Sequence, residues 1–269
     1  MNLKNKIKTA IYFGLNVFFG SLPTGKAAIL MYHSIDHNKV FFTVTPENFR
    51  KQMDLLYKEK YSIISLGELA GLIIDKRAIP LKTVVLTFDD GYQDNYFNAF
   101  PILKKYNFPA TIFLATGFIG KNRISSSGAT LKILNWDQII EMHNSGLVDF
   151  EPHTVSHLKL HRLSLEEAKK EILNSKRTIE EKLNKKCKFF AYPYGKYNLE
   201  IIKILKENNF EGAVTLKEGL VSCNDSLFAL KRNSIDSSVS FAQFKGKVSL
   251  SVKILRKIFK AKSRINFLI

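Results

Sequence analysis

Cysteine is scarce. Cys187 and Cys223 are the only two in 269 residues. That excludes a disulfide framework, and no CxxC pair offers a thiolate metal site or a redox centre. Both read as small core residues. A Gly-rich phosphate loop after the first apolar strand is missing, as is any Walker pattern. The two common nucleotide-binding frames are therefore excluded. Long apolar runs are also lacking near the N-terminus. Residues 9–20 (TAIYFGLNVFFG) fall short of the roughly 20 needed to span a bilayer, and Asn16 interrupts them. No A-x-A-like cleavage site clearly follows. The run is either a weak signal or anchor, or an interfacial helix. Acid is absent before Asp36 and after Asp236.

What is present in excess is positive charge, net +17, and it gathers at the ends. Lys4, Lys6, Lys8 and Lys26 contribute four; Lys245, Lys247, Lys253, Arg256, Lys257, Lys260, Lys262 and Arg264 contribute eight. The 201 residues from 36 to 236 carry only +5. Basic ends point to an anionic membrane surface as partner rather than to a basic active site. Val252, Leu255, Ile258 and Phe259 fall at helical spacing among cations, as in a helix lying on headgroups. A terminal helix packed on the body, with a solvated basic face, has the same pattern. A nucleic-acid partner is not expected, because no aromatic–basic interleaved motif occurs. The chain divides into a basic, apolar segment at 1–26, one barrel-sized domain at 27–240 and a basic amphipathic helix at 241–269. It is expected at a membrane, in the cell envelope or outside the cell, with the cytoplasmic face of the membrane left open.

Within the domain, short apolar strands alternate with amphipathic helices, which implies parallel strands joined by crossovers. Strands are expected at residues 27–32, 83–88, 109–114, 147–150, 188–192 and 212–216, with a last apolar segment at 227–230. Helices are expected at 46–57, 65–75, 95–106, 136–145, 164–184 and 199–208. Thr45, Ser65, Asn135 and Ser164 supply caps, and Phe49, Met53, Leu56 and Tyr57 form one apolar stripe. Residues 119–130 read as a Ser/Gly-rich loop without recognisable chemistry. About seven strands suit an incomplete or distorted (β/α) barrel of the α/β class; a doubly wound sheet is the alternative.

The chain is organised around KTVVLTFDDGY at residues 82–92. A strand buried on both faces runs into Asp89-Asp90-Gly91. Two adjacent carboxylates at a buried strand end repel one another and lose hydration. They are either an Asp-Gly turn or a site at the carboxyl end of a barrel strand. Three further strand ends matter: His33, His153-Thr-Val-Ser-His157 and Pro193-Tyr194-Gly195. Two neutral imidazoles and a carboxylate form a three-ligand set for Zn²⁺ or a similar ion, leaving positions open for water and substrate. Such an ion acidifies water and polarises a carbonyl. A second carboxylate can take the proton, and a histidine can protonate a leaving amine. Those are the parts that amide hydrolysis needs.

These stretches resemble the polysaccharide deacetylase family, also called the NodB-homology family or carbohydrate esterase family 4. TFDDGY at 87–92 is similar to its first motif, HTVSH at 153–157 to its second and FAYPYG at 190–195 to its third. LMYHSI at 30–35 is similar to the opening of the subgroup that deacetylates poly-N-acetylglucosamine. The resemblance implies a distorted (β/α)₇ barrel and metal-dependent removal of acetyl groups from a glycan. It implies Asp89 as general base, with Asp90, His153 and His157 holding one divalent ion, Zn²⁺ or else Co²⁺ or Ni²⁺. Tyr194 would bind the oxyanion through its backbone N–H, and His33 would be the acid. Tyr92, Pro193 and Trp136 are candidate substrate contacts, although Trp136 also fits a core aromatic. Glu151 either lines the site or caps a strand end. In two places the chain departs from the family pattern. Ala191 or its neighbours stand where an arginine usually orients the base, and no histidine follows His161. The missing arginine makes a catalytically inactive glycan-binding protein the alternative.

Overall fold

Residues 27–32 and 83–90 form the centre of the molecule. The structure, a computed structural model, describes residues 9–11, 14, 25–125 and 127–249. Most of the basic N-terminal segment, and the amphipathic stretch at 250–269, lie outside the described residues.

β1 (Ala27–Tyr32) and β2 (Thr83–Asp90) are buried at every position, which is why their sequences are continuous apolar runs rather than alternating ones. They pair in parallel, Ala27 with Thr83 through Tyr32 with Phe88. β3 (Ala110–Leu114) pairs with β2, and β4 (Val148–Pro152) with β3. β5 (Phe189–Ala191) and β6 (Gly212–Val214) form a separate parallel pair, and β7 (Asn233–Ser234) returns beside β1. A parallel bridge from Val214 to Leu230 ties β6 to the segment that becomes β7. The seven strands thus follow one another around a ring, as expected for a distorted (β/α)₇ barrel.

The hydrogen-bonded ladder is interrupted between β4 and β5. Side chains close the gap. Glu151 accepts from the N–H groups of Lys188 and Phe189, at 3.0 Å each, and from Lys185 Nζ at 3.0 Å. Glu151 is therefore a seam residue at the start of β5, and burial pushes its carboxyl up to about 8 against the pull of Lys185. His153 reaches Ala191 across the same gap.

The helices begin where the caps place them. α1 (Pro46–Lys58) starts at Thr45, α2 (Leu66–Ile74) at the Ser65/Glu68 box and α4 (Trp136–Asn144) at the Asn135/Gln138 box. α5 (Leu165–Leu183) starts at the Ser164/Glu167 box, and α6 (Leu199–Glu207) at Asn198. α1 buries Phe49, Gln52, Met53 and Leu56, whereas Tyr57 is 60% exposed. The face is centred on the i, i+3, i+4, i+7 set, and Tyr57 lies at its edge. Gln52 joins the core because it accepts from the Tyr32 hydroxyl at 2.8 Å. The helix expected at 95–106 is split. A π turn at Asn95–Ala99 precedes α3 (Phe100–Tyr106), so that Pro101, which has no N–H to donate, falls in a first turn. The loop expected at 119–130 contains an antiparallel hairpin, Asn122–Ile124 with Thr130–Lys132. α7 (Phe241–Lys247) packs Phe244, with Val248 just beyond it, into the main core. Among the described residues no helix is long and apolar enough to cross a membrane.

Candidate active site at the barrel mouth

Successive strand residues face opposite ways, so Asp89 and Asp90 at the end of β2 have different surroundings. Asp89, 2% exposed, points at Arg232, just before β7. The guanidinium grips it with two parallel bonds, Nη1 to Oδ1 at 2.6 Å and Nη2 to Oδ2 at 2.7 Å. Arg232 also donates from Nε to Thr215 O at 3.1 Å and from Nη1 to Thr87 Oγ1 at 3.3 Å. Burial alone would raise the Asp89 carboxyl. The Arg232 charge and its hydrogen bonds outweigh burial and hold the group below the ordinary carboxylate range. Asp89 is thus an ionised carboxylate with a fixed orientation.

Asp90 turns the other way because the chain turns left-handed, with φ 73 at Asp90 and 72 at Gly91. A Cβ at Gly91 would lie 2.6 Å from Leu114, so glycine is required there. Beyond β4, Thr154 and His157 also have positive φ, 68 and 54. Left-handed non-glycine residues store strain of about 1–3 kcal/mol each. The loop between them is tied on several sides. Thr116 and Gly117 donate to the carbonyls of Thr154 and Val155, and the N–H groups of Val155 and Ser156 both donate to Glu171. His157 N donates to Thr154 Oγ1 at 2.9 Å. The His-x-x-x-His spacing is thus realised on a pinned loop, not on a helical turn.

His157 Nε2 lies 3.3 Å, and His153 Nε2 3.9 Å, from Asp90 Oδ1. One ligand atom from each of the three residues falls within 4.8 Å of the others. Ala191 O can only accept, so His153 Nδ1, at 2.7 Å, carries the proton, and Nε2 presents its lone pair. Burial holds both histidines neutral, with His157 lowered to about 3. Burial opposes charge on Asp90 too, but the Arg123 guanidinium beside it counters this and keeps the carboxyl low. Asp90 Oδ1 is buried and accepts no hydrogen bond, although Arg123 Nη1 approaches to 2.7 Å; the contact is an ion pair whose donor is not aligned. An ionised oxygen without a bond and two neutral imidazole nitrogens at one point are the donor set of a small divalent cation.

His33 follows β1, one residue beyond the Tyr32–Phe88 pair and so level with the start of the Asp89-Asp90 doublet. Its backbone is held from the turn after β2. Asn95 donates to His33 O at 2.8 Å and Asn98 to Ile35 O at 2.7 Å, while Asp94 accepts from Ser34 Oγ at 2.7 Å and Ile35 N at 2.8 Å. Burial pushes Asp94 up to about 6. The His33 ring rests on Phe42, which stacks on Tyr92. Across the mouth the Tyr194 ring meets His157 edge-on at 4.8 Å. Tyr194 has φ 58 and Gly195 has φ 63, and a Cβ at Gly195 would lie 2.7 Å from Leu216.

The family model described as polysaccharide deacetylase matches residues 76–213. A poly-beta-1,6-N-acetyl-D-glucosamine N-deacetylase of Staphylococcus epidermidis is 34% identical over 202 residues, covering 71% of this chain and 67% of that one. The solved structure of the Streptococcus pyogenes deacetylase PplD in complex with acetate superposes with a TM-score of 0.72. It is 31% identical over 84% of this chain and 99% of its own. IcaB from Ammonifex degensii, at 24% identity, shares the fold with a TM-score of 0.74, over 84% of this chain and 98% of its own. This chain belongs to the polysaccharide deacetylase family.

In this deacetylase the arginine expected near Ala191 is not lost. Arg232 reaches Asp89 from the other side of the barrel, which removes the reason for reading the chain as inactive. Its sequence signal was faint: a cation between the fully buried Leu230 and Ile235. Arg123, on the hairpin in the supposedly featureless loop, had no signal at all. Asp94 was hidden in an ordinary-looking turn. Two of the candidate substrate contacts are held by protein neighbours. Tyr92 is 2% exposed, and its hydroxyl donates to Asp90 Oδ2 at 3.2 Å. Trp136 opens α4, packs against the core and lies under Lys182. Pro193 is buried and shapes the Tyr194 turn.

Proposed function

We propose that this chain hydrolyses N-acetyl groups of N-acetylhexosamine units in a polysaccharide, with poly-N-acetylglucosamine the first candidate. The observation that carries this is the meeting of Asp90, His153 and His157 within 4.8 Å, with the buried Asp90 Oδ1 left without a hydrogen bond. The names of the relatives support the substrate class. One divalent ion, Zn²⁺ before Co²⁺ or Ni²⁺, fits these three residues. When bound it supplies Lewis acidity toward an acetamide oxygen and lowers the pKa of water.

The chain's own groups do the rest. Asp89, kept ionised by Arg232, takes a proton from the attacking water. Its two oxygens are locked in the guanidinium fork, so the carboxylate need not reorient during the reaction. The N–H of Tyr194 sits in the first turn of a single 3₁₀ turn, where no acceptor exists within the turn, and it donates to the developing oxyanion. His33 gives a proton to the departing nitrogen. Water adds to the carbonyl carbon, the C–N bond breaks, and acetate and a free amine leave. The basic ends fit an anionic surface, so the substrate would be met at a membrane.

The test is acetate release from neutral N-acetylglucosamine oligomers by wild type and by Asp89→Asn. The expected loss is on the order of 10²- to 10⁴-fold. Equal rates would remove Asp89 from the mechanism.

A further inference from the structure

The two histidines beside Asp90 are not held alike. His153 Nδ1 meets Ala191 O at 2.7 Å, so a hydrogen bond on the far side of the ring aims Nε2 at Asp90. His157 Nδ1 is buried and makes no hydrogen bond among the described residues. Its ring meets the rings of His153 and Tyr194 edge-on, with centroids 4.8 Å away in each case. Those contacts pack the ring without bonding its nitrogen. The aim of His157 therefore comes from its backbone.

That backbone is strained, with φ 54 at His157 and 68 at Thr154, and strain persists only where the surroundings over-determine it. Here they do so from two sides. The peptide unit from Thr154 to Val155 accepts from Thr116 N at its carbonyl and donates from Val155 N to Glu171 Oε2 at 3.0 Å. The next unit accepts from Gly117 N and donates from Ser156 N to the same oxygen at 2.8 Å. A Cβ at Gly117 would lie 2.8 Å from Val155 O, so that side of the loop is already in close contact. Two successive N–H groups converging on one oxygen form a seat for an anion, and a carboxylate makes such bonds roughly twice as strong as a neutral acceptor does. Among the described residues, the partners of these two units are backbone N–H groups and one side chain, Glu171. It stands on α5, which Ala168, Ile172, Ser175 and Ile179 anchor in the body.

We infer that Glu171 is a positioning residue for the metal site. It clamps the loop so that His157, which lacks a partner on its ring, keeps Nε2 3.3 Å from Asp90 Oδ1. The inference rests on the three-ligand reading above.

The experiment measures the affinity of the full chain for Co²⁺, by competition with a chelating indicator, and the visible spectrum of the loaded chain. Wild type is compared with Glu171→Ala, Glu171→Gln and Glu167→Ala. Glu171→Ala should bind Co²⁺ about ten- to a hundredfold more weakly, the range for losing an outer partner of a metal ligand, and its d–d bands should change. Its acetate release should fall at limiting metal and return with excess metal, which a damaged fold would not allow. Glu171→Gln keeps an acceptor oxygen for both N–H groups and should recover most of the affinity. Glu167→Ala removes the capping-box partner of Ser164 on the same helix, so it should lower stability and leave Co²⁺ affinity and spectrum unchanged. If Glu171→Ala does not fold, Glu171→Asp, whose shorter side chain draws the oxygen back from the loop, replaces it with the same expectation. Wild-type affinity and spectrum in Glu171→Ala overturn the inference and leave the deacetylase reading standing. So do equal losses in Glu171→Ala and Glu167→Ala, or a Glu171→Gln chain as weak as Glu171→Ala. Wild type that binds no Co²⁺ overturns the three-ligand reading and the inference with it.

Discussion

The barrel interior under Asp89 and the mouth around Asp90 are one residue apart in sequence, yet they are built on opposite rules. In the interior Asp89 takes two bonds from Arg232, which also serves Thr87 and Thr215. At the mouth Asp90 Oδ1, Arg123 Nη1 and His157 Nδ1 are buried without hydrogen bonds. The interior holds a single charge state in a single orientation. The mouth keeps its lone pairs available, at a cost in stability, because its partner comes from outside. Satisfaction and availability are separated by one pleat of a strand.

The largest effect comes from crossing that boundary. Asp90→Ala should take acetate release to background and remove bound metal, while shifting stability less than any change beneath Asp89. If Asp90→Ala instead unfolds the chain, the mouth is a structural centre and the contrast fails. Arg232→Ala comes next, because it strands a buried carboxylate. Denaturant unfolding should show a loss of about 3–5 kcal/mol. Arg232→Lys should recover part of the stability but little of the rate, since an ammonium cannot reproduce the fork. A smaller effect is expected from Asp94→Ala, which releases the His33 backbone. It should lower kcat about ten- to a hundredfold with KM nearly unchanged, and Asp94→Asn should restore part. An equal change in KM would make Asp94 a binding residue instead.

The smallest effect is on the pH dependence of stability. Burial lowers both histidines in the folded chain, so the unfolded chain binds more protons once pH falls below about 6.5. Stability should therefore drop on acidification, by at most about 1.4 kcal/mol per pH unit per histidine. Glu151 works the other way. Its carboxyl is raised to about 8, so it favours the folded chain progressively less as pH rises from about 4.5 to 8. Unfolding curves from pH 4 to 9, with chelator present, check both signs, and Glu151→Gln should remove the decline above about pH 6.5 and steepen the acid loss between about pH 4.5 and 6.5.

Much of this was legible in the sequence. β1 and β2, the helix caps and the grouping of Asp90, His153 and His157 could be read because they are written as local patterns: apolar runs, capping boxes and motif spacing. Arg232 could not, because it replaces a nearby arginine with a distant one and only three dimensions bring it to Asp89. Arg123 failed for a related reason. A three-residue hairpin strand in a Ser/Gly-rich stretch has no periodicity to read. Trp136 takes the core position that its place in the first turn of a helix already allowed, whereas nothing local to Tyr92 showed that its hydroxyl would bond Asp90.

The central claim is that Asp90, His153 and His157 hold one ion that the reaction needs. The most direct measurement is metal content by mass spectrometry on the purified chain, alongside acetate release before and after chelation and metal return. The account predicts one divalent ion per chain, activity lost with chelator and regained with Zn²⁺ or Co²⁺, and no ion in His157→Ala. Full acetate release from a chain stripped of metal would contradict it.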